Sequence, residues 1–404
     1  MCNENLDAGE VALVGIFDPA SIVELMAPEA AAQIAGISSM PGVCLHHLAA
    51  GLVSREIRTT LIGGVRGATA IHVKSNPLSV AIYGKRGGWP YILNGLHRER
   101  RSILALLQKI NPSIVHANWT FEGGRAVADW GGPKLLTVHD AAWECVRLGK
   151  TYSPGGVVYA ARWLMETGAT LARFKHIIAV SPYVEAYLRI RHHFRGEIRV
   201  IPNAIPELPE TLAVSGTFPK TKVITFGCYG PPSGLRNVPV ALSAFSKVES
   251  KIEGSRMLVF GGGWAKAKAQ FRKHRIDFRG ALPHPEFLKA LAEEVDIWVH
   301  PSRCETHSLV ICEAIQAGCV VIGGRLSGAV PWTLDYGNAG VLVDIEDANE
   351  VASAMRTAVL ERSALDGMVA FGRNMVMERF CPSHVLDQHL MYYKDILASD
   401  HMGR

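Results

Sequence analysis

The feature that most constrains this chain is a rhythm that runs twice and breaks once. Short apolar runs, VALVGIF (11–17), TTLIGG (59–64), SIVHAN (113–118), KLLTVHD (134–140), HIIAVS (176–181) and IRVIPN (198–203), alternate with longer helix-period stretches such as LHRERRSILALLQKI (96–110) and VYAARWLMETGATLARF (158–174). Buried β-branched runs separated by helices predict parallel βαβ units. IPNAIPELPETLAVSGTFPK (201–220) then carries four prolines and no period, which suits a linker between domains. The rhythm resumes with KVITFGCYG (222–230), RMLVFGGG (256–263), IDFRG (276–280), IWVHPS (297–302), CVVIGG (319–324) and GVLVDI (340–345). The expectation is an α/β chain of two doubly wound, Rossmann-like domains: residues 1–205, a linker at 206–220, and residues 221–380. An amphipathic terminal helix at 381–404, with PSHVLDQHLMYYKDILA at its centre, should pack back toward the first domain. Ligands of such sheets bind beyond the C-terminal ends of the strands, here in a central cleft that the two domains would face.

Composition narrows the class. With 404 residues and 48% hydrophobic content the chain can bury a large core. No apolar run approaches the roughly 18 residues needed to cross a bilayer. The first 50 residues contain no Lys or Arg, so a secretory signal with a basic start is not expected. Eight cysteines form no CxxC pair, which suits free thiols in a reducing cytoplasm. Residues 51–200 carry 21 basic and 9 acidic side chains, whereas residues 201–404 are nearly balanced. That excess could face an acidic partner, an anionic membrane or only water. LHRERRSILALLQKI and RIRHHFRG could form a basic, partly apolar face for peripheral contact with anionic headgroups. Nucleic acid is not an expected partner, because the basic residues are not interleaved with aromatics on a recognisable module.

The stretch WVHPSRCETHSLVICEAIQAGCVVI (298–322) reads as strand, loop, helix and strand, the helix starting near Ser308 and ending near Gly318. Glu305 then lies in the loop and Glu313 about one and a half turns into the helix. The backbone N–H groups of residues 306–309 are free donors at the helix N-terminus, a site suited to phosphate. Carboxylates only accept hydrogen bonds, so sugar hydroxyls are natural partners for both glutamates. The alternative is ordinary: Glu305 complements the helix dipole and Glu313 is a solvated helix residue. His139, His116 and Asn118 can likewise be strand-end or packing residues, GGG (261–263) an ordinary turn, and Cys304, Cys312 and Cys319 core thiols.

From His300 to Asp344 the sequence resembles the signature region of retaining GT-B glycosyltransferases, above all glycosyltransferase family 4. PSRCETHSLVICEAIQAGCVVIGG is similar to that family's Pro-Ser loop, Glu-Gly-Phe-Gly-Leu stretch, Glu-Ala helix and following strand. RNVPVALSAF (236–245), FRGALPHPEFLKALAEEVDIWVHPS (278–302), NPSIVHANWT, KLLTVHD, IIAVSPYV, VIPNAI and MPGVCLHHLAAGL (40–52) resemble further family elements in the family's order. The resemblance implies the GT-B fold and a metal-independent transfer of a hexose from a UDP- or GDP-linked sugar, with no other cofactor. The acceptor would be a glycan or lipid-linked molecule of cell-surface polysaccharide synthesis. Glu305 would bind donor-sugar hydroxyls near the reacting carbon and Glu313 the nucleotide ribose. The backbone of Thr306, His307, Ser308 and Leu309 would approach sugar and diphosphate. Arg236 would neutralise the leaving diphosphate, and His139 would sit over the sugar face. Leu282 belongs to a loop that would pair with the base, and Gly42 would permit close approach at the first loop.

The departures are specific. Thr306 and Ser308 replace the signature's glycines, and His307 replaces its aromatic residue. Gly230 stands where the family usually has a second basic residue, and Ser39 and Met40 where it has two glycines. No Asp-x-Asp, a common metal-holding motif on diphosphates, occurs in the chain. An epimerase, a phosphorolytic enzyme or a non-catalytic nucleotide-sugar-binding protein of the same fold remain alternatives.

Overall fold

The computed structural model describes residues 9–39, 42–87, 96–149, 154–209, 212 and 218–402. Met40, Pro41 and most of 210–217 within the expected linker lie outside them. The chain divides into two compact units. The first comprises residues 1–143, 151–204 and 382–404, and the second residues 144–150 and 205–381.

The first unit is built on an eight-stranded sheet. Its strands are β1 (Val11–Val14), β2 (Thr59–Arg66), β3 (Ile71–Val73), β4 (Leu78–Lys85), β5 (Ile114–Asn118), β6 (Lys134–Val138), β7 (His176–Ala179) and β8 (Glu197–Val200), in the order β3-β4-β2-β1-β5-β6-β7-β8. All pairs are parallel except β3 with β4. The strand expectations did not include β3 and β4. A strand that follows another without a helix between them breaks the βαβ rhythm on which those expectations rest, and β3 is only three residues long. β1 is buried along its whole length, as a strand covered on both faces must be.

One face of this sheet is covered partly by the helix Val43–Ser54 and by the terminal helix Pro382–Met402. Leu386 packs where a Cβ on Gly51 would come within 3.2 Å of it. Val385, Tyr392, Tyr393 and Ile396 join Leu45, Leu48 and Leu52 in one core. Two ion pairs flank the seam, Arg55–Asp387 at 2.9 Å and Arg199–Asp395 at 2.7 Å. Deep inside, the His116 ring shares hydrogen bonds with Tyr393 Oη (2.7 Å) and Thr137 Oγ1 (2.6 Å), so His116 is a core residue that ties the terminal helix to β5 and β6.

The second unit has six parallel strands, β9 (Thr225–Tyr229), β10 (Arg256–Phe260), β11 (Ile276–Gly280), β12 (Ile297–His300), β13 (Val320–Gly324) and β14 (Val341–Val343), in the order β11-β10-β9-β12-β13-β14. All six coincide with the apolar runs read from sequence. Asp296, 1% exposed, pins the start of this sheet. Its carboxylate accepts from the Lys220 and Thr225 backbone N–H groups at 2.7 and 2.8 Å. Lys220 Nζ in turn donates to the carbonyls of Leu291 (3.0 Å) and Ala317 (2.6 Å). Removing a buried acceptor that serves two backbone donors leaves both unsatisfied. Asp296→Ala should therefore lower the stability of the second unit by about 2–4 kcal/mol, read as a lower midpoint in urea unfolding, and Asp296→Asn should lose less.

Candidate functional site

In the second unit the polar groups gather just past β12. The helix Leu309–Gln316 begins where Ser308 Oγ accepts from the Ile311 N–H at 3.4 Å, an N-cap that a glycine at 308 could not provide. It ends before Gly318, whose φ of +77° is the left-handed conformation typical after a helix. The intervening loop is held by a parallel bridge: Glu305 N–H donates to Ser327 O (3.2 Å) and Ala329 N–H donates to Glu305 O (2.8 Å). Gly328 lies between those partners with φ +64°, and a Cβ there would overlap the Glu305 carbonyl.

The bridge fixes the Glu305 backbone and so aims its side chain. The carboxylate accepts from the Arg236 guanidinium and pairs with His300 Nε2 at 3.1 Å. Arg236 also donates to Ser302 Oγ at 3.3 Å. Burial opposes the charge on Glu305, but Arg236 and His300 outweigh it and hold the carboxyl at about 2. Glu305 is therefore ionised at neutral pH. His300 is buried, and it was not foreseen from sequence: a histidine closing a strand five residues before a glutamate resembles any strand-end residue.

Glu313 has a partner that was also missed. His284 Nε2 lies 2.8 Å from Glu313 Oε1. That hydrogen bond raises the imidazole above its usual pKa against a smaller burial effect. His284 is the first residue of the helix His284–Glu293 and directly follows the exposed loop that holds the half-buried Leu282. Thr306 and Leu309 are half-buried at the mouth of the signature helix. The His307 ring is turned inward, 4.8 Å from Phe380 and 5.5 Å from Trp332 between ring centroids. His307 thus keeps the packing role of an aromatic residue, leaving its backbone for any ligand contact.

Gly230 explains the absent basic residue. It has φ +148°, and a Cβ there would lie 2.8 Å from the Arg236 Cβ. A side chain at 230 and Arg236 in its present position exclude each other. Gly261 of the GGG run is likewise a backbone crossing, where a Cβ would come within 3.0 Å of Gly230, and its N–H donates to Gly280 O at 2.7 Å. Cys304, Cys312 and Cys319 are buried free thiols, and burial pushes the pKa of both Cys312 and Cys319 up.

In the first unit, His139 follows β6 and is 8% exposed. Its Nε2 donates to Asn118 Oδ1 at 2.9 Å, and its ring lies 4.5 Å from that of Trp119. Burial, helped by nearby His389, lowers its pKa to about 3, so the ring is neutral. A neutral ring with the proton on Nε2 leaves Nδ1 as an acceptor. Gly42 precedes the helix Val43–Ser54, and a Cβ on it would overlap the Ile16 carbonyl. The close approach that Gly42 permits is therefore made by the chain's own backbone.

Two family matches account for most of the chain. Residues 41–207 match Glycosyltransferase Family 4 and residues 221–360 match Glycosyl transferases group 1. Among curated relatives, the N-acetyl-alpha-D-glucosaminyl L-malate synthase of Bacillus anthracis is 25% identical over 42% of this chain and 45% of its own length. A GDP-mannose-dependent alpha-(1-6)-phosphatidylinositol monomannoside mannosyltransferase of Mycobacterium tuberculosis is 26% identical over 33% of this chain and 38% of its own. The matched segment thus spans less than half the length of either relative. Solved structures share the fold over nearly the whole chain. Sucrose-phosphate synthase from Thermosynechococcus elongatus has a TM-score of 0.76 at 18% identity, covering 97% of this chain and 100% of its own. Anabaena HepE in complex with UDP-glucose has a TM-score of 0.67 at 14% identity, covering 97% and 100%. The chain belongs to the GT-B glycosyltransferases, with a family 4 domain followed by a group 1 domain.

Proposed function

We propose that the chain is a retaining, metal-independent hexosyltransferase that moves a sugar from a UDP- or GDP-linked donor to a glycan or lipid-linked acceptor of cell-surface polysaccharide synthesis. The observation that carries this reading is the Arg236–Glu305–His300 group beside the N-terminus of the helix Leu309–Gln316. Breaking the bond from the anomeric carbon to the diphosphate puts negative charge on the leaving group and positive charge on the ring. Fixed donors belong near the first and an acceptor near the second. Arg236 and the backbone amides at 306–309 supply the donors, and ionised Glu305 supplies the acceptor. Without donor, Arg236 is held by Glu305 and Ser302. An arriving diphosphate offers the guanidinium a third, more highly charged acceptor.

Relatives support a nucleotide-sugar donor: one is named GDP-mannose-dependent, and HepE was solved with UDP-glucose. Retention fits front-face attack with the acceptor proton leaving on the diphosphate oxygen. A double-displacement route would require a nucleophilic carboxylate on the opposite face of the sugar, and no residue is assigned that role here. Glu313 would hold the ribose, with His284 fixing its rotamer. We place the reaction in the cytoplasm with peripheral contact to anionic membrane. Arg100 is paired with Asp129, Arg189 with the carbonyls of Phe194 and Gly196, and Arg191 lies over Trp143. The contact therefore rests on Arg98, Arg101 and Lys109, exposed on the helix His97–Ile110, and on the exposed Arg195.

A thermal-shift panel of UDP-, GDP- and ADP-sugars identifies the donor, because a ligand of the native state raises stability by mass action. With that donor, Glu305→Gln and Arg236→Ala should each reduce kcat/KM by about 100-fold or more; turnover within about twofold of wild type for both would remove the site assignment. An epimer or sugar phosphate formed without acceptor would overturn transfer itself. His284→Ala should raise the donor KM by about 3–10-fold, the worth of one hydrogen bond, with kcat nearly unchanged. Arg98→Glu/Arg101→Glu should weaken sedimentation with phosphatidylglycerol vesicles, and wild-type binding that does not fall with salt would contradict the electrostatic contact.

A further inference from the structure

Arg236 can stabilise a leaving diphosphate only if the loop that carries it is held still. It closes the stretch 230–236 (GPPSGLR), which is neither strand nor helix and joins β9 to the helix Val238–Val248. Within the loop, the Arg236 N–H donates to Ser233 Oγ at 3.2 Å and the Asn237 N–H to Ser233 O at 3.1 Å. Such a loop, with glycines at 230 and 234 and no ladder of backbone hydrogen bonds, has many conformations open to it unless something outside fixes it.

Arg303 does so. It stands past β12, two residues before Glu305. Its backbone N–H donates to Leu235 O at 2.8 Å, and its Nη1 donates to Gly234 O. These are the two carbonyls that immediately precede Arg236. The other guanidinium nitrogens meet Glu346 as a fork, Nε to Oε1 at 2.5 Å and Nη2 to Oε2 at 2.7 Å. Glu346 lies past β14, and its own N–H donates to Asp344 Oδ1 at 2.9 Å. On the other side of Arg236, the buried Asn237 donates from Nδ2 to Ile345 O at 3.0 Å. Arg236 is thus flanked by two ties to the loop past β14, one direct and one through Arg303. A lysine at 303 could not make the second, because one ammonium cannot bridge a carbonyl and both oxygens of a carboxylate in a single plane.

We propose that Arg303 is a positioning residue for the transfer reaction: it fixes the loop 230–236 so that the Arg236 guanidinium meets the leaving diphosphate. The assignment rests on the transfer reading above. Every nitrogen of the Arg303 guanidinium is engaged by the protein and its charge is balanced by Glu346, so it acts through Arg236 and not on the ligand. A displacement of Arg236 by about 1 Å is enough to lose most of what it contributes. Because Arg236 touches Glu305, the phosphate it should meet is the one next to the sugar.

The probes are UDP and GDP, with UMP and GMP as references that lack that phosphate, titrated calorimetrically into the full chain. Whichever diphosphate binds wild type is used throughout. Arg236→Ala should weaken it about tenfold or more and Arg303→Ala about fivefold or more, the worth of a charge-assisted hydrogen bond. Both should leave the matching monophosphate within about twofold of wild type. Arg303→Lys should resemble Arg303→Ala, since the geometry and not the charge is what is needed. Glu346→Ala removes one end of the clamp at an exposed carboxylate, so the expected loss of about threefold is not loss of fold. In the Arg236→Ala background, Arg303→Ala should add less than about twofold, because residues that act through one contact are not additive. Wild-type diphosphate affinity in Arg303→Ala, Arg303→Lys or Glu346→Ala, an equal loss of the monophosphate, or a full further loss in the Arg236→Ala background would each overturn the positioning role; the last two are what a merely structural residue gives. The two readings fail separately. Diphosphate binding that ignores Arg236→Ala, or no binding of either diphosphate to wild type, removes the transfer reading. A response to Arg236→Ala without one to Arg303→Ala removes the Arg303 assignment alone.

Discussion

Parallel strands cannot be joined by a tight turn, so each must be followed by a crossover that starts at its C-terminal end. That constraint decides where chemistry can sit in this protein. With helices covering both faces of a sheet, the loops past the strand ends are where polar side chains can meet a ligand without being buried among apolar ones. His139 follows β6, Arg236 follows β9, His284 follows β11 and Glu305 follows β12. Within each unit, residues far apart in sequence reach one place because their strands are neighbours: β9 lies beside β12, and β5 beside β6.

How much could be read beforehand follows from the same constraint. Twelve of the fourteen strands among the described residues coincide with the runs read from sequence, all but β3 and β4, because they alternate with helices. β3 was missed because it is a three-residue antiparallel edge strand, and β4, which pairs parallel with β2, because β3 and not a helix precedes it. The signature helix was legible at both ends, from Ser308 and Gly318. What surrounds Glu305 was only half visible. Arg236 could be found by its resemblance to a family position, whereas His300 becomes meaningful only once the backbone bridge to Gly328 points the carboxylate at it.

Three departures from the family pattern acquire physical reasons. Ser308 gives up a glycine's open approach and gains a capping hydroxyl. His307 replaces an aromatic residue with an imidazole that still packs on Phe380 and Trp332. Gly230 lacks a basic side chain because the Arg236 stem occupies the space such a side chain would need. The Arg236 guanidinium is also the partner of the neighbouring carboxylate Glu305.

The terminal helix has a consequence for how the protein is made. Its tyrosine, Tyr393, closes the buried hydrogen bond to His116, and its apolar residues finish a core begun by the helix Val43–Ser54. On a ribosome the first unit is therefore an unfinished structure through the synthesis of some 180 intervening residues, all of which belong to the second. The second unit, nearly continuous in sequence, has its last strand long before the chain is released. The half that begins first is thus the half that matures last, and for that interval part of an apolar sheet face waits uncovered, at risk from other nascent chains.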